Sequence, residues 1–464
     1  MQMMFRTRFR ATVLARVFIF LALLVCAFAC GMIRRGPPNV LLITIDALRG
    51  DHLELRGYSR ETAPELSELA SRGVYFKNAV AQAPLTIPSL LMIMTGKLFY
   101  NDSIPDDMKT VAEILKSRGY ATAAFVRNPL IELDHRGIDR GFDTFYCPEK
   151  SSGSWTTEAE FKALAEAQLY AHDLRAEELL RQAEGWLEKS PAGQPFFLWV
   201  HLFDPHDPYY PPSPYDAHFD QDYEGTVDGD VRRTYESENP IWGKVEKNPP
   251  PDDMKHIIAL YDGEIRYTSA QVGAFLKNLE TAGLDKRTLI VVSSDHGESL
   301  GEHNLWGHGL SVYEPETLIP LIMVLPGRIP KGKVVSQPVE AIDIVPTVLS
   351  LIGKEKDGNQ FSGKDVADLM KDGTAVDERA GAFARWKDQK SYRTERWKLV
   401  DTGGKLEAFD LKEDPMEQNN IAELSPALLT NLQFELGKTE KREVKIKKTG
   451  KSLLERLESL GYLK

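Results

Sequence analysis

The chain carries VLLITID at residues 40–46 and LIVVSSDHG at residues 289–297. Each begins as a short, apolar, β-branched run, which is typical of a strand buried on both faces in a parallel sheet. Ligands bind outside the carboxyl ends of such strands, so we expect Asp46, Asp295 and His296 to lie at one site. Two carboxylates brought together there would repel each other and be costly to desolvate without a cation. The pattern therefore predicts an α/β protein with a metal site.

A candidate nucleophile lies between these two stretches. The sequence APLTIPSL at residues 83–90 places Thr86 two residues before a proline, and an apolar run then leads to Thr95 and Gly96. Proline suits the first turn of a helix because its missing N–H would have no partner there. We therefore expect Thr86 at a helix N-terminus, where free amides and the helix dipole attract an anionic substrate. Capping of the helix is the alternative role for this hydroxyl.

Five motifs together resemble the sulfatase branch of the alkaline phosphatase superfamily, over nearly all of the chain after residue 36. In chain order they are the first strand with Asp46, TIPSL with TG at 86–96, FDPHDPY at 203–209, SDHGE at 294–298 and FDLKEDP at 409–415. The resemblance implies a large, mostly parallel sheet flanked by helices, as in alkaline phosphatases and sulfatases. The pattern after residue 380, with a turn at Gly403 and Gly404, predicts a small C-terminal antiparallel sheet with a helix.

Three departures from the sulfatase pattern fall on the site itself. Thr86 replaces the Cys or Ser that sulfatases oxidise to formylglycine, Leu90 replaces the signature Arg, and Ala47 replaces a second Asp. Threonine cannot become formylglycine because its β-carbon carries a methyl group. A sulfated threonine also lacks the collapse to an aldehyde that expels sulfate, whereas phosphodiesterases and phosphoethanolamine transferases with similar sites use a threonine. We therefore expect cleavage of a phosphate mono- or diester through a covalent intermediate on Thr86.

The resemblance also implies the metal ligands and the groups on the substrate side. One divalent cation is expected, zinc, manganese or calcium, and a second metal is compatible with the pattern. His206 and His308 are expected to face the substrate, where a histidine can protonate the leaving oxygen near neutral pH. The ligands of the first cation would be Asp46, Thr86, Asp295 and His296.

Two other functions stay open. A sulfuric ester hydrolase fits the order of the motifs, although it would have to turn over without formylglycine. A non-catalytic binding protein on the same frame is the third hypothesis, and the intact Asp46, Asp295 and His296 argue against it. His201, directly after the apolar run at 196–200, is expected to be a buried core histidine rather than part of the site.

Composition restricts the possible partners. The formal net charge is −11, and residues 1–35 contain six arginines and no acidic residue, so the rest of the chain is more acidic still. No basic stripe indicates a nucleic-acid surface, and we expect no nucleic-acid partner. The expected partner is an anionic ester substrate whose remaining part is a lipid or a sugar. The acidic stretch at 209–251 is either a specificity loop for a partly cationic substrate or a solvated surface loop.

Residues 1–35 have the features of a targeting segment, with early arginines, an apolar run at 17–30 and two further arginines behind it. They predict a signal peptide, a lipoprotein signal lipidated at Cys30, or an uncleaved N-terminal membrane anchor. We therefore expect the protein in the cell envelope, outside the cytoplasmic membrane and attached to it through the N-terminus. The expected domains behind this segment are a catalytic domain at 36–380, a small C-terminal subdomain at 381–435 and a basic helical tail at 436–464.

Overall fold

The computed structural model describes residues 36–133, 135–147, 175–191, 193–231, 243–353, 361–371 and 381–446. The expected targeting segment at 1–35 lies outside the described residues, as does the end of the expected basic tail from residue 447 onward. Within the described ranges, every helix is too short or too polar to span a lipid bilayer.

Strands form three sheets in the residues that the structure describes. In the described part of the chain they are β1 (Asn39–Ile45), β2 (Val74–Val80), β3 (Ala121–Val126), β4 (Thr144–Tyr146), β5 (Phe196–Leu202), β6 (Gly243–Lys244), β7 (Thr288–Ser294), β8 (Ser299–Leu300), β9 (Leu305–Gly307), β10 (Leu318–Val324), β11 (Lys333–Val335), β12 (Val339–Glu340), β13 (Ala382–Trp386), β14 (Gln389–Arg393), β15 (Trp397–Thr402) and β16 (Lys405–Asp410). The central sheet has nine strands in the order β11-β2-β10-β7-β1-β5-β3-β4, with β12 beside β2. Strand β10 is antiparallel to both neighbours, and the other pairs are parallel. The prediction of a large, mostly parallel sheet is confirmed.

Helices cover both faces of this sheet. Those in the described residues are α1 (Pro64–Ser71), α2 (Thr86–Thr95), α3 (Val111–Lys116), α4 (Pro129–Leu133), α5 (Ala176–Lys189), α6 (Pro251–Thr281), α7 (Glu314–Thr317), α8 (Ile344–Leu351) and α9 (Pro426–Glu440). On β1, Val40 and Leu42 share an apolar cluster with α2, α3 and α8, whereas Leu41, Ile43 and Ile45 face a second cluster with α1, α5 and α6. Burial on both faces explains why the apolar residues of this strand are consecutive rather than alternate.

A second sheet follows at the C-terminal end. Strands β13 to β16 pair in chain order and are all antiparallel. Leu432 and Leu436 of α9 share an apolar cluster with Tyr392 and Leu399 of this sheet. This is the small antiparallel sheet with a helix that the sequence predicts. A third sheet of short strands, in the order β6-β9-β8, ends directly before His308.

A buried ionic network joins the C-terminal sheet to the main body. Glu314 of α7 accepts from Arg393 Nε at 3.1 Å and from Lys398 Nζ at 3.1 Å. Lys398 also contacts Glu417 Oε1 at 3.0 Å, and the other oxygen of Glu417 accepts the Glu314 amide at 2.6 Å. All four residues are buried. Buried charges are stabilised only when each one has its oppositely charged partner. Loss of one of these four side chains would therefore leave its partners buried without a compensating charge.

We expect Glu314→Gln to lower the free energy of unfolding by about 3–5 kcal/mol, because Lys398 and Arg393 would stay buried with too little negative charge. Urea denaturation at pH 7 measures this loss. Burial opposes ionisation of Glu314, but its two cationic partners lower its pKa from 4.5 to about 2. The folded-state pKa is therefore depressed, and the advantage of wild type over the variant should shrink as the pH falls from 4.5 towards 2.

The matched control makes the same substitution in an exposed ion pair. Glu435 lies 3.0 Å from Lys438 on the surface of α9, and Glu435→Gln should cost less than about 1 kcal/mol. Equal losses in the two variants would show that the Glu314 network does not hold the second sheet in place.

Candidate active site

The register of the central strands brings three segments of the chain to one edge of the sheet. Strand β1 is parallel to both β7 and β5, with Ile45 opposite Ser294 on one side and Leu202 on the other. The Asp46 amide donates to the Leu202 carbonyl at 2.9 Å. Asp46 and Asp295 therefore directly follow adjacent strands, at the carboxyl edge of the sheet. Ligands bind at this edge in parallel sheets.

Asp46, Asp295 and His296 form a fully buried cluster in which one ligand atom of each lies within 4.8 Å of the other two. His296 Nε2 is 3.5 Å from Asp46 Oδ1 and 3.5 Å from Asp295 Oδ2. Neither of these two oxygens, Asp46 Oδ1 and Asp295 Oδ2, has a hydrogen-bond partner. Buried polar atoms are normally paired, so two bare carboxylate oxygens facing one imidazole nitrogen fit a divalent cation.

The opposite oxygens of the same carboxylates are held by hydrogen bonds. Asn128 Nδ2 donates to Asp46 Oδ2 at 2.8 Å. Asp295 Oδ1 accepts from the amide of His296 at 2.9 Å and from that of Ala47 at 3.3 Å. These bonds fix both carboxyl groups and leave one oxygen of each directed at a common point, as in sites whose metal ligands are oriented by their neighbours.

The tautomer of His296 suits a metal ligand. Its Nδ1 lies 2.8 Å from the carbonyl oxygen of Gly297, which can only accept, so Nδ1 carries the proton. Nε2 therefore presents a lone pair to the two aspartates. Gly297 itself has no room for a side chain, since a β-carbon there would lie 2.0 Å from the carbonyl oxygen of Pro315.

Thr86 is the first residue of α2, and its hydroxyl lies 3.1 Å from His296 Nε2. Leu85 occupies the N-cap position, so Thr86 does not cap the helix. Ser89, one turn further on, donates to the Asp295 carbonyl at 2.6 Å and so ties α2 to the end of β7. The structure thus brings Thr86 together with the three other expected metal ligands, at the N-terminus of a ten-residue helix.

The two aspartates differ in their electrostatics. Burial alone would raise the pKa of Asp46, but the imidazoles of His206, His201 and His296 lower it to about 2. Burial raises the pKa of Asp295, and the negative charge of Asp46 raises it further. A divalent cation would stabilise both charges at once, so the carboxyl pair is suited to one.

His206 and His308 lie beside this cluster. The ring centroids of His296 and His308 are 4.4 Å apart, and those of His308 and His206 are 4.8 Å apart. His206 follows β5, and its Nδ1 donates to the carbonyl oxygen of Asp207 at 2.7 Å. His206, Asp207 and His308 each offer a ligand atom within 4.8 Å of the others, so this second group has the composition of another cation site.

Glu298 belongs to the site although the sequence alone suggests no role for it beyond its place in the SDHGE motif. Its Oε1 lies 2.9 Å from His308 Nδ1. An ionised carboxylate only accepts, so Glu298 holds a proton on Nδ1 of His308 and leaves Nε2 for proton exchange. Buried Arg49 donates to the Glu298 carbonyl at 3.0 Å and fixes the backbone there.

Asn128 and His201 also contact the cluster, and no motif marks either of them. Asn128 follows β3, whose neighbour β5 carries His201. His201 is fully buried, as expected of a core histidine, yet its Nε2 lies 3.4 Å from Asp46 Oδ2. Only the strand order β1-β5-β3 brings these two side chains to the end of β1.

The positions that depart from the sulfatase pattern supply no charge to the site. Leu90 is buried in the apolar cluster that includes α2. Ala47 is fully buried and has a φ of 55°, a strained conformation for an alanine. Its carbonyl accepts the Tyr261 hydroxyl at 2.7 Å, while its amide reaches Asp295. At the position where the pattern would have a second carboxylate, the strained turn therefore holds the carboxyl group of Asp295 with a backbone amide.

The described part of the acidic stretch at 209–251 begins in contact with the site. The ring of Tyr209 packs edge-on against that of Tyr261, with centroids 5.4 Å apart, and the Tyr261 hydroxyl donates to the carbonyl of Ala47 beside Asp46. Further along, Tyr223 stacks on His256 of α6 with ring centroids 3.7 Å apart. The stretch is thus attached both to the site and to the long helix.

Comparisons with known proteins point to one family. The Sulfatase family model matches residues 38–354, and a model described as N-sulphoglucosamine sulphohydrolase, C-terminal, matches residues 301–442. An arylsulfatase of Clostridium perfringens is 26% identical over 440 residues, covering 83% of this chain and 90% of the relative. An ulvan-active sulfatase of Formosa agariphila is 27% identical over 419 residues, covering 83% of this chain and 77% of the relative.

Solved structures share the fold. A phosphonate monoester hydrolase of Agrobacterium radiobacter aligns with a TM-score of 0.70 and 22% identity, covering 87% of this chain and 96% of its own. A protein in complex with its substrate D-glucosamine-2-N,6-O-disulfate aligns with a TM-score of 0.68 and 20% identity, covering 88% of this chain and 98% of its own. Of these two proteins with one fold, the first is named for a phosphonate ester and the second is bound to a sulfated sugar.

We expect Asp295→Asn to raise the melting temperature of the metal-free protein and to abolish its stabilisation by a divalent cation. The substitution removes one of two buried carboxylates that repel each other, while the amide oxygen can keep the bonds now made to Oδ1. Calorimetry after chelation, and again with zinc, manganese or calcium, measures both effects. A cation at 100 times its Kd should stabilise the wild type by about 2.7 kcal/mol.

Asp262→Asn is the matched control, because Asp262 is an equally buried carboxylate that lies 2.7 Å from both His52 and Arg60. Its loss should lower the melting temperature and leave metal stabilisation in place. A metal-free Asp295→Asn protein that is destabilised like this control would contradict the repulsion between Asp46 and Asp295.

Proposed function

Because the chain belongs to the sulfatase family, we propose that it is a metal-dependent enzyme that cleaves a phosphate mono- or diester through a covalent intermediate on Thr86. With water as the final acceptor the enzyme is a hydrolase, and with an alcohol it is a transferase. The observation that carries the proposal is the contact of the Thr86 hydroxyl with His296 Nε2 at 3.1 Å, at a helix N-terminus.

Threonine at this position favours phosphorus over sulfur. A sulfated formylglycine hydrate expels sulfate by collapsing to the aldehyde, and a sulfated threonine has no second hydroxyl on its β-carbon with which to do so. A phosphorylated threonine is released by attack of water or an alcohol on phosphorus. Position 90, where the sulfatase signature has an arginine, is a leucine that is fully buried among apolar residues. This difference also supports a chemistry other than that of sulfatases.

The residues present fit one divalent cation, held by Asp46, Asp295 and His296 together with the Thr86 oxygen. The fit rests on one oxygen of each carboxylate, Asp46 Oδ1 and Asp295 Oδ2, and the imidazole nitrogen of His296, which converge while neither oxygen has a hydrogen-bond partner. A cation bound there would neutralise the aspartates, lower the pKa of the Thr86 hydroxyl and withdraw charge from the ester. Oxygen and imidazole ligands favour zinc or manganese over calcium.

In the first step, the ionised Thr86 Oγ1 attacks phosphorus, its own proton having passed to solvent. The new bond joins Oγ1 to phosphorus, and the bond from phosphorus to the ester oxygen breaks. His308 gives its Nε2 proton to the departing oxygen, and Glu298 holds the ring by Nδ1. His206, beside His308, faces the anionic ester.

In the second step, the acceptor attacks phosphorus and the bond to Thr86 Oγ1 breaks. His308 Nε2 now takes the proton of the attacking water or alcohol, which reverses its first role. The free amides at the start of α2 stabilise the negative charge on phosphorus in both steps.

A sulfuric ester hydrolase is the second candidate, and the names of the relatives support it. The arylsulfatase and the ulvan-active sulfatase each align over 83% of this chain. Such an enzyme would have to release sulfate from threonine by direct attack of water, which is why we place it second.

We further propose that the substrate carries a sugar or lipid part and that the enzyme works in the cell envelope. The sugar is supported by the disulfated glucosamine bound by a protein of the same fold. The envelope location, outside the cytoplasmic membrane, is supported by the arginines and apolar run of residues 1–35. The acidic stretch that begins at Tyr209 would then favour a substrate with a cationic group, such as a zwitterionic head group.

We expect Thr86→Ala to lower kcat/KM on the best phosphate ester by roughly 10³-fold or more, because the nucleophile is lost. Thr86→Ser should keep most of the activity. The assay compares an aryl phosphate monoester, a diester, a phosphonate and the matched aryl sulfate, each with zinc, manganese or calcium. Mass spectrometry of the quenched wild type should find a phosphorylated Thr86 peptide.

Thr95→Ala is the matched control, because Thr95 lies at the other end of α2 and its hydroxyl donates only to backbone carbonyls, at 2.8 Å to that of Leu91. It should retain wild-type kcat. Full activity of Thr86→Ala would refute the nucleophile, and turnover of the aryl sulfate alone would make the second candidate the function.

We expect His308→Gln to slow cleavage of alkyl esters by roughly 10²–10⁴-fold and to affect p-nitrophenyl esters much less, because a good leaving group needs no proton. The dependence of kcat on the leaving-group pKa measures this. His303→Gln is the control, since His303 stacks on Tyr313 at 4.0 Å and is not among the clustered ligands.

Metal content of the same variant separates two roles of His308. If His206, Asp207 and His308 hold a second cation, the wild type should contain two metal ions per chain and His308→Gln only one. A single metal ion in both proteins, together with equal slowing of good and poor leaving groups, would refute both the acid role and the second site.

A further inference from the structure

We propose that His201 is a positioning residue for the metal ligand Asp46, which it holds through an Nε2–H directed at Asp46 Oδ2. The inference rests on the proposed metal-dependent function and adds a residue that neither the motifs nor the ligand geometry includes. His201 lies on β5, the neighbour of β1, and both side chains are fully buried.

The tautomer of His201 follows from its partners on the other side of the ring. Trp199 Nε1 can only donate, and it gives its hydrogen to Thr44 Oγ1 at 3.0 Å. The same Thr44 oxygen lies 2.9 Å from His201 Nδ1, and no other acceptor is near the Thr44 hydroxyl in the described residues. Thr44 therefore donates to Nδ1, which must be unprotonated. The proton of neutral His201 is then on Nε2.

His201 Nε2 faces the metal ligand and nothing else in the described part of the chain. Asp46 Oδ2 lies 3.4 Å away, longer than a normal hydrogen bond, and Nε2 has no hydrogen-bond partner. Asn128 donates to the same oxygen at 2.8 Å. Asn128 by its hydrogen bond and His201 by its electrostatic attraction both act on Oδ2, and they leave Oδ1 as the oxygen for the cation.

Two histidines thus flank Asp46 in opposite tautomers. His296 has a carbonyl at Nδ1, so its Nε2 carries a lone pair and suits a cation. His201 has a hydroxyl donor at Nδ1, so its Nε2 carries hydrogen and cannot bind a cation. Local hydrogen bonding at Nδ1 decides which imidazole is a ligand and which one orients a ligand.

Packing alone does not account for this arrangement. A phenylalanine would fill the same buried strand position without burying the polar atoms of Trp199, Thr44 and His201 together. Buried polar groups are costly unless they are paired, and the last polar atom of this chain of contacts, His201 Nε2, faces Asp46 Oδ2 at 3.4 Å. We therefore infer that the contacts from Trp199 through Thr44 to His201 serve to orient the proposed metal ligand Asp46, and not only to pack the core.

The test measures the metal Kd directly. Protein freed of metal with a chelator is titrated with zinc and with manganese in a calorimeter. We expect His201→Phe to raise the metal Kd by roughly 10–100-fold, the usual effect of losing such an orienting group. His201→Gln, whose amide can donate from the Nε2 position, should restore part of the affinity. Activity of His201→Phe should recover towards the wild-type kcat at saturating metal.

Variants of His52 serve as the matched control. His52 is also a buried histidine that contacts a carboxylate, Asp262, at 2.7 Å, but that carboxylate is not in the metal cluster. His52→Phe should cost stability without changing the metal Kd. If His201→Phe fails to fold, Thr44→Val takes its place and should weaken metal binding in the same direction by a smaller factor.

The outcomes separate this inference from the proposed function. An unchanged metal Kd in the His201 and Thr44 variants, with a loss of stability like that of His52→Phe, would make His201 a core residue only. A wild type that binds neither cation would overturn both proposals. Weakened metal binding in His201→Phe combined with full activity of Thr86→Ala would support this inference and refute the nucleophile.

Discussion

The repulsion between two buried carboxylates, Asp46 and Asp295, is the constraint on which the site depends. Each has one oxygen fixed by hydrogen bonds and one oxygen with no partner, and both bare oxygens face His296 Nε2. Such a pair does not stabilise the fold, because removing one of the two charges would remove their repulsion. The pair is explained by a cation, and the surrounding residues are arranged to keep both carboxylates in place.

The central sheet supplies the rigid frame for this cluster. Apolar side chains on both faces bury β1, β5 and β7, so the positions of their carboxyl ends cannot shift independently. Ser89 ties the helix that carries Thr86 to the end of β7, and the backbone at strained Ala47 ties the end of β1 to the same point. The proposed nucleophile and the three proposed metal ligands, from distant parts of the chain, thereby share one small volume.

Hydrogen bonds to the imidazoles assign the roles within that volume. His296, His308 and His201 are three similar rings, and the partner at Nδ1 differs for each: a carbonyl, a carboxylate and a hydroxyl. In the mechanism we propose, the carbonyl at His296 leaves Nε2 free of a proton for a cation, the carboxylate of Glu298 orients His308 as a proton donor, and the hydroxyl of Thr44 fixes the tautomer of His201 that faces Asp46. Substitutions at the partners would therefore change the chemistry without touching the rings.

The sequence by itself determined the α/β class, the two aspartates at strand ends, the helix that begins at Thr86 and the antiparallel sheet near the end of the chain. Those features depend on local periodicity and on motifs, which are visible residue by residue. Glu298 as the partner of His308, Asn128 and His201 as partners of Asp46, and the ionic network of Glu314 were decided only by the tertiary structure. Each depends on strand order and register, because contacts between segments far apart in the chain leave no periodic signal in either segment. The tautomers of the histidines have the same origin, since the atom opposite Nδ1 belongs to whichever backbone or side chain the fold places there.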